Sequence, residues 1–415
     1  MLSVDVLIVG GGPAGLTAAL ALRQRGARVT VADALHPPVD KACGEGLMPD
    51  ALAELRRLGV DLSAADGGIF RGIRFASHAD PAFGNSASVA GIEAAAEARF
   101  PARAPEAWDG SSPAGGLDGA AALGVRRPLL HQRLVEVAES AGVRLRWNSP
   151  VELLAAGEVR VAGEPCAYGC LIGADGQGSR VRRWAGLEAG TVLSRRFGFR
   201  QHYRVAPWSD VVEVHWARSG QAYVTPVGED EVCVATITHE PQNRVEALLE
   251  ELPWLRQKLA GRAEMVRTDR ERGALTTTRR LCRVAAGRVA LVGDASGSAD
   301  AITGEGMAMA FRQALLLAES LDTLALPEAL ARYDRLHPAI LRLPQRMAQV
   351  MLMMDRWPVL RRRAIRALAA EPQLFARLLG VHVGAESMGH FVATSGARLA
   401  LSLATAREIL SPESA

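Results

Sequence analysis

Lysine is nearly missing from this chain: among 48 basic residues only Lys41 and Lys258 are lysines. The longest basic run, Arg361-Arg362-Arg363, falls in a helical pattern and reads as a solvated face. With a net charge of +3 and acids interspersed throughout, nothing marks a nucleic-acid footprint. Cysteine is scarce and odd in number, at 43, 166, 170, 233 and 282, which excludes a disulfide framework and a paired CxxC zinc pattern. Cys166 and Cys170 have no histidine close by in sequence and read as small core residues. No stretch reaches the roughly 18 uninterrupted apolar residues of a spanning helix, and no basic segment followed by an apolar one opens the chain as a signal peptide. A cytoplasmic location is expected, with contact at a membrane surface left open. A second dinucleotide fingerprint is also missing, so no separate nicotinamide domain is expected.

What is present is a chain of 415 residues, 49% hydrophobic and 22% charged, enough for two to three packed domains. Residues 4–9, VDVLIV, are a continuous β-rich run suited to a buried parallel strand. GGGPAG follows, then LTAALALRQRG with helical spacing and a stop at Gly26. A second strand, ARVTVAD, ends on Asp33. Strand, G-x-G-x-x-G, helix, strand and acid stand in the order that dinucleotide binding requires. Gly10 permits the tight turn, Gly12 lets backbone approach a pyrophosphate, and Gly15 lets helix and strand pack closely. Pro13 and Ala14 open the helix whose N-terminus faces the anion, and Asp33 accepts from a ribose.

Two later stretches separate FAD from NAD. Residues 288–313 read RVALVGDASGSADAITGEGMAMAFRQ, a strand, Gly293-Asp294, a small-residue loop, Thr303-Gly304-Glu305-Gly306 and a long helix. Residues 169–183 read GCLIGADGQGSRVRR, a strand ending in Asp175-Gly176. With these, residues 1 to about 330 resemble the FAD-dependent superfamily that contains the group A aromatic hydroxylases, the geranylgeranyl reductases and the flavin-dependent halogenases. The resemblance implies that Asp294 binds a ribityl hydroxyl, that Asp175-Gly176 lies beside the pyrophosphate, and that Arg127 contacts the cofactor from the start of a helix. It also implies that the TGEG loop leads into a helix whose N-terminus faces the flavin pyrimidine edge, where reduced flavin carries negative charge.

The stretch DKACGEGL, residues 40–47, holds a lysine, a cysteine and two glycines. A metal site lacks partners in the sequence. In the superfamily this segment runs over the cofactor to the isoalloxazine ring. Gly44 and Gly46 then sit where backbone approaches a flat ring, Lys41 reaches a phosphate or ribose oxygen, and Cys43 is either a small filler or a group that touches flavin or substrate. The CGEG and TGEG loops together look like the geranylgeranyl reductase branch. They also look like flavoproteins that hydroxylate lipid phenols made by small polyketide synthases, to which the chain is most similar. The halogenase tryptophan motif and strand lysine are missing.

The resemblance implies an α/β fold: a Rossmann-type FAD-binding domain from 1–73, 122–186 and 275–330, and an antiparallel β-sheet substrate domain from 74–121 and 187–274. A helical C-terminal region over 331–415 completes it. Strands are expected within 195–238, with His202, His215, Trp216 and Tyr223 as pocket candidates; Cys43, His215 and Tyr223 are the catalytic ones. Residues 83–120 read as a long Ala/Gly/Ser/Pro-rich loop. The segment around Met347, Met351, Met353 and Met354 is apolar nearly all round and is expected to be buried. The implied chemistry is NAD(P)H-dependent hydroxylation of an apolar aromatic or phenolic substrate, with oxygen activated at flavin C4a. Reduction of isoprenoid double bonds, with electrons from a separate reductase, is the alternative; halogenation and redox-neutral cyclisation rank lower.

Overall fold

The computed structural model describes residues 2–78, 91–101, 120–154, 157–261 and 264–406. Strand Leu2–Val9 is central in its sheet, paired in parallel with Glu164–Gly173 on one side and Val29–Ala32 on the other. Flanked by strands on both sides and covered by helices, it is apolar from Val6 to Val9, with the exposed Asp5 before that run paired to Arg28. Val289–Leu291 and Arg144–Arg146 extend the parallel core outward, and short hairpin strands make eight among the described residues. Helices Pro13–Arg23, Arg127–Ser140 and Gly306–Thr323 cover it through Leu16, Leu20, Leu130, Leu134, Phe311 and Leu317.

The second sheet runs in the order Arg272–Leu281, Gly190–Arg204, Glu231–Thr238, Gly220–Pro226, Val212–Trp216, Gly72–His78 and Ile92–Arg99. It is antiparallel except where Gly72–His78 lies parallel to Val212–Trp216. Two expectations are corrected here. The boundary at 275 falls inside strand Arg272–Leu281, which pairs along its length with Gly190–Arg204 and belongs to the second sheet. The presumed loop 83–120 contains strand Ile92–Arg99, which buries Ala94, Ala96 and Ala98 and turns Glu93, Ala95, Glu97 and Arg99 to the other face; within the loop, 83–90 and 102–119 lie outside the described residues.

One face of this sheet packs on helices Val245–Glu250 and Pro253–Ala260 through Phe199, Tyr203, Val224, Leu248 and Leu252. The other face meets the C-terminal helices through Val214, Trp216, Met354, Ile365 and Phe375. Those helices are Leu326–Arg356, Pro358–Ala370, Pro372–His382 and Met388–Thr405. The methionine segment is not buried all round: Met354 is buried, but Val350 and Met353 face solvent, because only one stripe of the helix meets the sheet. The arginine run is not a solvated face either. Arg361 is buried and donates to Ser77 Oγ at 3.1 Å, Arg362 pairs with Glu93, and Arg363 donates to the Ala404 and Ala406 carbonyls. Among the described residues no helix is long and apolar enough to cross a membrane.

Candidate functional site

The fingerprint turn is built from close backbone contacts. A Cβ at Gly15 would lie 1.9 Å from the Gly10 carbonyl oxygen. Gly10 itself has φ +108° and packs so that a Cβ would come within 2.5 Å of Ala174 O. At Gly12, by contrast, a Cβ would meet nothing within 4 Å: this is the open side. Gly12 caps helix Pro13–Arg23 with no side-chain partner for the free N–H groups, so the helix offers them to an anion. Ala14 packs under the Gly293 turn, which joins the two motifs. Asp33 accepts from Gly11 N at 2.7 Å and Leu35 N at 2.8 Å, leaving lone pairs for a ribose hydroxyl. The sequence reading missed His131, buried beneath this turn, with Nε2 2.7 Å from Gly11 O and Nδ1 3.4 Å from Val39 N. Burial lowers its pKa, so a neutral ring that donates to Gly11 O and accepts from Val39 N fits both contacts.

Lys41 and Cys43 of the CGEG segment, Arg127 and Asp294 form one electrostatic cluster: Arg127 acts on Cys43 and Asp294, and Lys41 acts on Asp294. Arg127 is buried, yet among the described residues no carboxylate lies within ion-pairing distance of its guanidinium, whose nearest partner is Met307 Sδ at 3.9 Å. Burial lowers its pKa, against the opposing pull of Cys43, Glu45, Asp40 and Asp294. A buried cation without an anion is a site awaiting one. Asp294 is exposed to the groove, but the walls around it displace enough solvent to raise its carboxyl pKa in spite of Lys41, Gln177 and Arg127. The Gly293 turn beneath it is held by Gln313, which accepts from Gly293 N at 2.6 Å. Asp175 is differently occupied: it accepts from Ser179 Oγ, Arg180 N and Val181 N and so caps the following short helix, while Gly176 takes the left-handed turn at φ +77°.

Behind the CGEG loop lies a buried ionic network that the sequence did not reveal. Glu45, at φ +61°, accepts from Arg127 N at 2.8 Å and from Arg200 at 2.7 Å, and its other oxygen lies 2.6 Å from His202 Nε2. Arg200 also reaches Asp40 at 2.9 Å and Asp269 at 3.2 Å, and His202 Nδ1 lies 2.8 Å from Asp269. Thr225 and Cys233 hold the loop by donating to the Gly44 and Cys43 carbonyls. Glu45, His202 and Cys233 present ligand atoms within 4.8 Å of one another. Arg200 already compensates the Glu45 charge, and burial keeps the Cys233 thiol protonated; the trio is part of a hydrogen-bonded scaffold. Burial likewise raises the Cys43 thiol. A Cβ at Gly44 or Gly46 would find only ordinary contacts within the protein, so protein packing does not require either glycine.

The TGEG loop turns at Gly304, φ +71°, and presents Gly304 and Gly306 to the groove. The Thr303 and Glu305 side chains are buried, Glu305 with 1% exposed, so contacts from these two residues to a cofactor would come from backbone. Neither of its carboxylate oxygens has a hydrogen-bond partner, though the Thr303 hydroxyl is near enough to favour the ionised form slightly. His382 Nδ1 lies 3.7 Å away, and the Asp50–Arg312 pair is beside it. Burial pushes Glu305 up to about 7 and Asp50 up to about 6.

Of the four pocket candidates, Trp216 and Tyr223 share the face toward the C-terminal helices, and Tyr223 OH donates to Ile302 O at 2.8 Å. His202 faces the CGEG loop. His215 lies on the opposite face, 3.0 Å from Glu213 and 2.9 Å from His78, against Trp254. It does not reach the groove.

An uncapped helix N-terminus, an acid at the second strand's end, an unpaired buried arginine and Asp294 along one groove fit FAD, and the fold is that of an FAD-dependent oxidoreductase. The FAD binding domain family matches residues 3–336, and the chain belongs to it. It is also similar to the menaquinone reductase of Mycolicibacterium smegmatis (strain ATCC 700084 / mc(2)155), 55% identical over 56 residues; the match spans 14% of each protein's length. In structure it resembles the flavin-dependent brominase Bmp2, at 16% identity and TM-score 0.73 over 95% of this chain and 99% of that one. The tetrameric 2-methyl-3-hydroxypyridine-5-carboxylic acid oxygenase is similar at 23% identity and TM-score 0.65, over 85% and 92%. At these identities the structures speak for the fold alone.

Arg127→Met tests the cradle. Removing one charge-assisted contact, worth about 2 kcal/mol, is expected to raise the FAD dissociation constant roughly thirtyfold. The protein's own stability should not fall, because no ion pair is broken. Titration of apoprotein with FAD measures this, and unchanged affinity would remove Arg127 from the site.

Proposed function

We propose that the protein is an NAD(P)H-dependent flavin monooxygenase that hydroxylates an apolar, electron-rich aromatic or phenolic substrate. The observation that carries this reading is the wall between the second sheet and the C-terminal helices. Met48, Phe70, Val214, Trp216 and Met354 form one apolar cluster there, with Tyr223 and Met351 packed against it. Burial raises the phenol of Tyr223, which packs against this wall, and the Cys43 thiol of the CGEG loop, so both stay protonated. Bound FAD supplies the electrons and the oxygen activation. The chain's part is to orient an apolar ring, exclude water and offer hydrogen bonds without a competing base. The oxygenase and the brominase sharing the fold support the reading. With a single G-x-G-x-x-G in the chain, nicotinamide binds transiently on the flavin side or electrons come from a partner reductase.

A second reading, reduction of a double bond in a polyprenyl-type lipid, is favoured by Cys43. With bound FAD supplying the hydride, a thiol held protonated in the CGEG loop would supply the proton that completes the reduction, and the short match to menaquinone reductase accords with a lipid substrate. The test is stopped-flow absorbance of anaerobically reduced enzyme, saturated with candidate aromatic substrates and mixed with oxygen. A transient spectrum distinct from both reduced and oxidised flavin is expected, and added halide would probe bromination or chlorination. Its absence with every substrate, together with net reduction of a polyprenyl lipid, would overturn the hydroxylase reading. Cys43→Ser separates the two independently. Turnover within about threefold of the parent is expected for hydroxylation, whereas loss of a general acid lowers turnover by about 100-fold or more.

A further inference from the structure

Where helix Leu326–Arg356 turns into Pro358–Ala370, four large apolar side chains face solvent. Val350, Met353, Trp357 and Val359 are 54%, 46%, 49% and 53% exposed. Positions 350, 353 and 357 recur at i, i+3 and i+7, so they form one stripe rather than scattered exceptions. Met354, one position on from Met353 and about 100° further round the helix, is buried in the apolar wall against the sheet. The apolar surface of the helix is therefore wider than the part the sheet covers, and its edge along Val350, Met353 and Trp357 is left uncovered.

Charge identifies what would cover it. Arg342, Arg346 and Arg356 are exposed on the same helix, and among the described residues no carboxylate pairs with them; the Arg356 guanidinium lies over the Trp357 ring at 5.9 Å. Between residues 335 and 370 the only acid is Asp355, and its carboxylate is turned inward to Gln221, Arg196 and His239. A tryptophan at the tip of an apolar stripe, flanked by unpaired arginines with no acid facing outward, matches the boundary between lipid headgroups and acyl chains.

We propose that this helical corner docks the protein on an anionic lipid surface. A second copy of the chain fits less well. Four side chains fall far short of the roughly 800 Å² per partner of a stable interface, and two-fold symmetry would set the arginines against one another. Nucleic-acid phosphates would match the arginines but leave the tryptophan and valines without purpose. The inference goes beyond the proposed reaction and does not depend on whether the substrate is oxidised or reduced. It does place the docking face on the helix that lines the apolar wall, beside the buried Met354.

Sedimentation of FAD-loaded protein with vesicles tests it, comparing phosphatidylcholine alone with phosphatidylcholine mixed with phosphatidylglycerol. Binding is expected to the mixed vesicles at low salt and to weaken with added salt, since each arginine at an anionic surface contributes roughly fivefold. Met353→Glu/Trp357→Glu is expected to bind at least about tenfold more weakly. Arg342→Glu/Arg346→Glu should lose about 25-fold or more, with flavin content unchanged in both. Failure to bind the mixed vesicles at low salt, equal binding to both compositions, or undiminished binding by both variants would overturn the proposal. So would dissociation of a dimer by Met353→Glu/Trp357→Glu in sedimentation velocity without an effect on vesicle binding, which would make the corner a self-interface.

Discussion

Arg200→Met is expected to destabilise the protein by about 3–5 kcal/mol, the usual consequence of leaving a buried charge without its partner. Arg200 is fully enclosed and is the cation shared by Glu45, Asp40 and Asp269. Without it three carboxylates face one another, with His202 bridging Glu45 and Asp269. The second effect is local. Glu45 sits at φ +61°, a conformation unfavourable for a side-chain-bearing residue, and its carboxylate and carbonyl hold Arg127 N and Val125 N. When that anchor loosens, the CGEG loop loses its shape, so FAD retention should fall along with stability. For a chain of this length the thermal midpoint drops by roughly 3–6 °C. Removing both partners is milder than removing one, so Glu45→Gln/Arg200→Met should be more stable than Arg200→Met alone. If differential scanning calorimetry finds Arg200→Met unshifted, the network is not what holds the loop.

Glu305→Gln carries the second large effect, and its sign depends on pH. The folded protein keeps the Glu305 proton until about pH 7, whereas an unfolded chain releases it near the ordinary carboxyl value of 4.5. Between those values the folded state binds more protons, so stability falls as pH rises, by about 3 kcal/mol in all, and levels off above pH 7. Glutamine removes this loss. The variant should match the parent near pH 4.5 and gain progressively on it, reaching about 3 kcal/mol by pH 8. Asp50 acts in the same sense, moderated by Arg312. His382, whose pKa burial lowers, acts in the opposite sense below pH 6.5. The comparison is therefore between variant and parent at each pH, in urea unfolding of apoprotein. A parallel pair of stability curves would mean that Glu305 is ionised throughout.

The parts of the site legible in the sequence are those fixed by neighbouring backbone. Gly10, Gly12 and Gly15 could be assigned because a turn, an open approach and a helix–strand contact are set within six residues, and contacts such as Gly15 against Gly10 O bear out that logic. The Glu45–Arg200–His202–Asp269 network was not legible, because Glu45 and Arg200 are 155 residues apart in sequence and no periodicity links them. His215 illustrates a different limit. A strand shows that alternate residues share a face, but only the register that sets His215 opposite Ala222 and Val214 opposite Tyr223 shows which face meets the C-terminal helices. Glu305 was recognised as part of a loop motif, but its burial comes from His382, a residue of the C-terminal region. The solvent-facing side of the methionine segment, Val350 and Met353, was missed for a related reason: composition marks a helix as apolar but not which neighbours it lacks.

The interleaving of the two sheets bears on how the protein is made. The FAD-binding sheet recruits its Val289–Leu291 strand only after the whole second sheet has been threaded through the chain, and the groove draws on residues from Gly10 to Gly306. On the ribosome no partial product short of residue 306 of 415 can close the cofactor site. Strand Glu164–Gly173, whose outer parallel edge is filled only by Val289–Leu291, must therefore wait while the second sheet is synthesised, the interval in which such a chain is most dependent on chaperones.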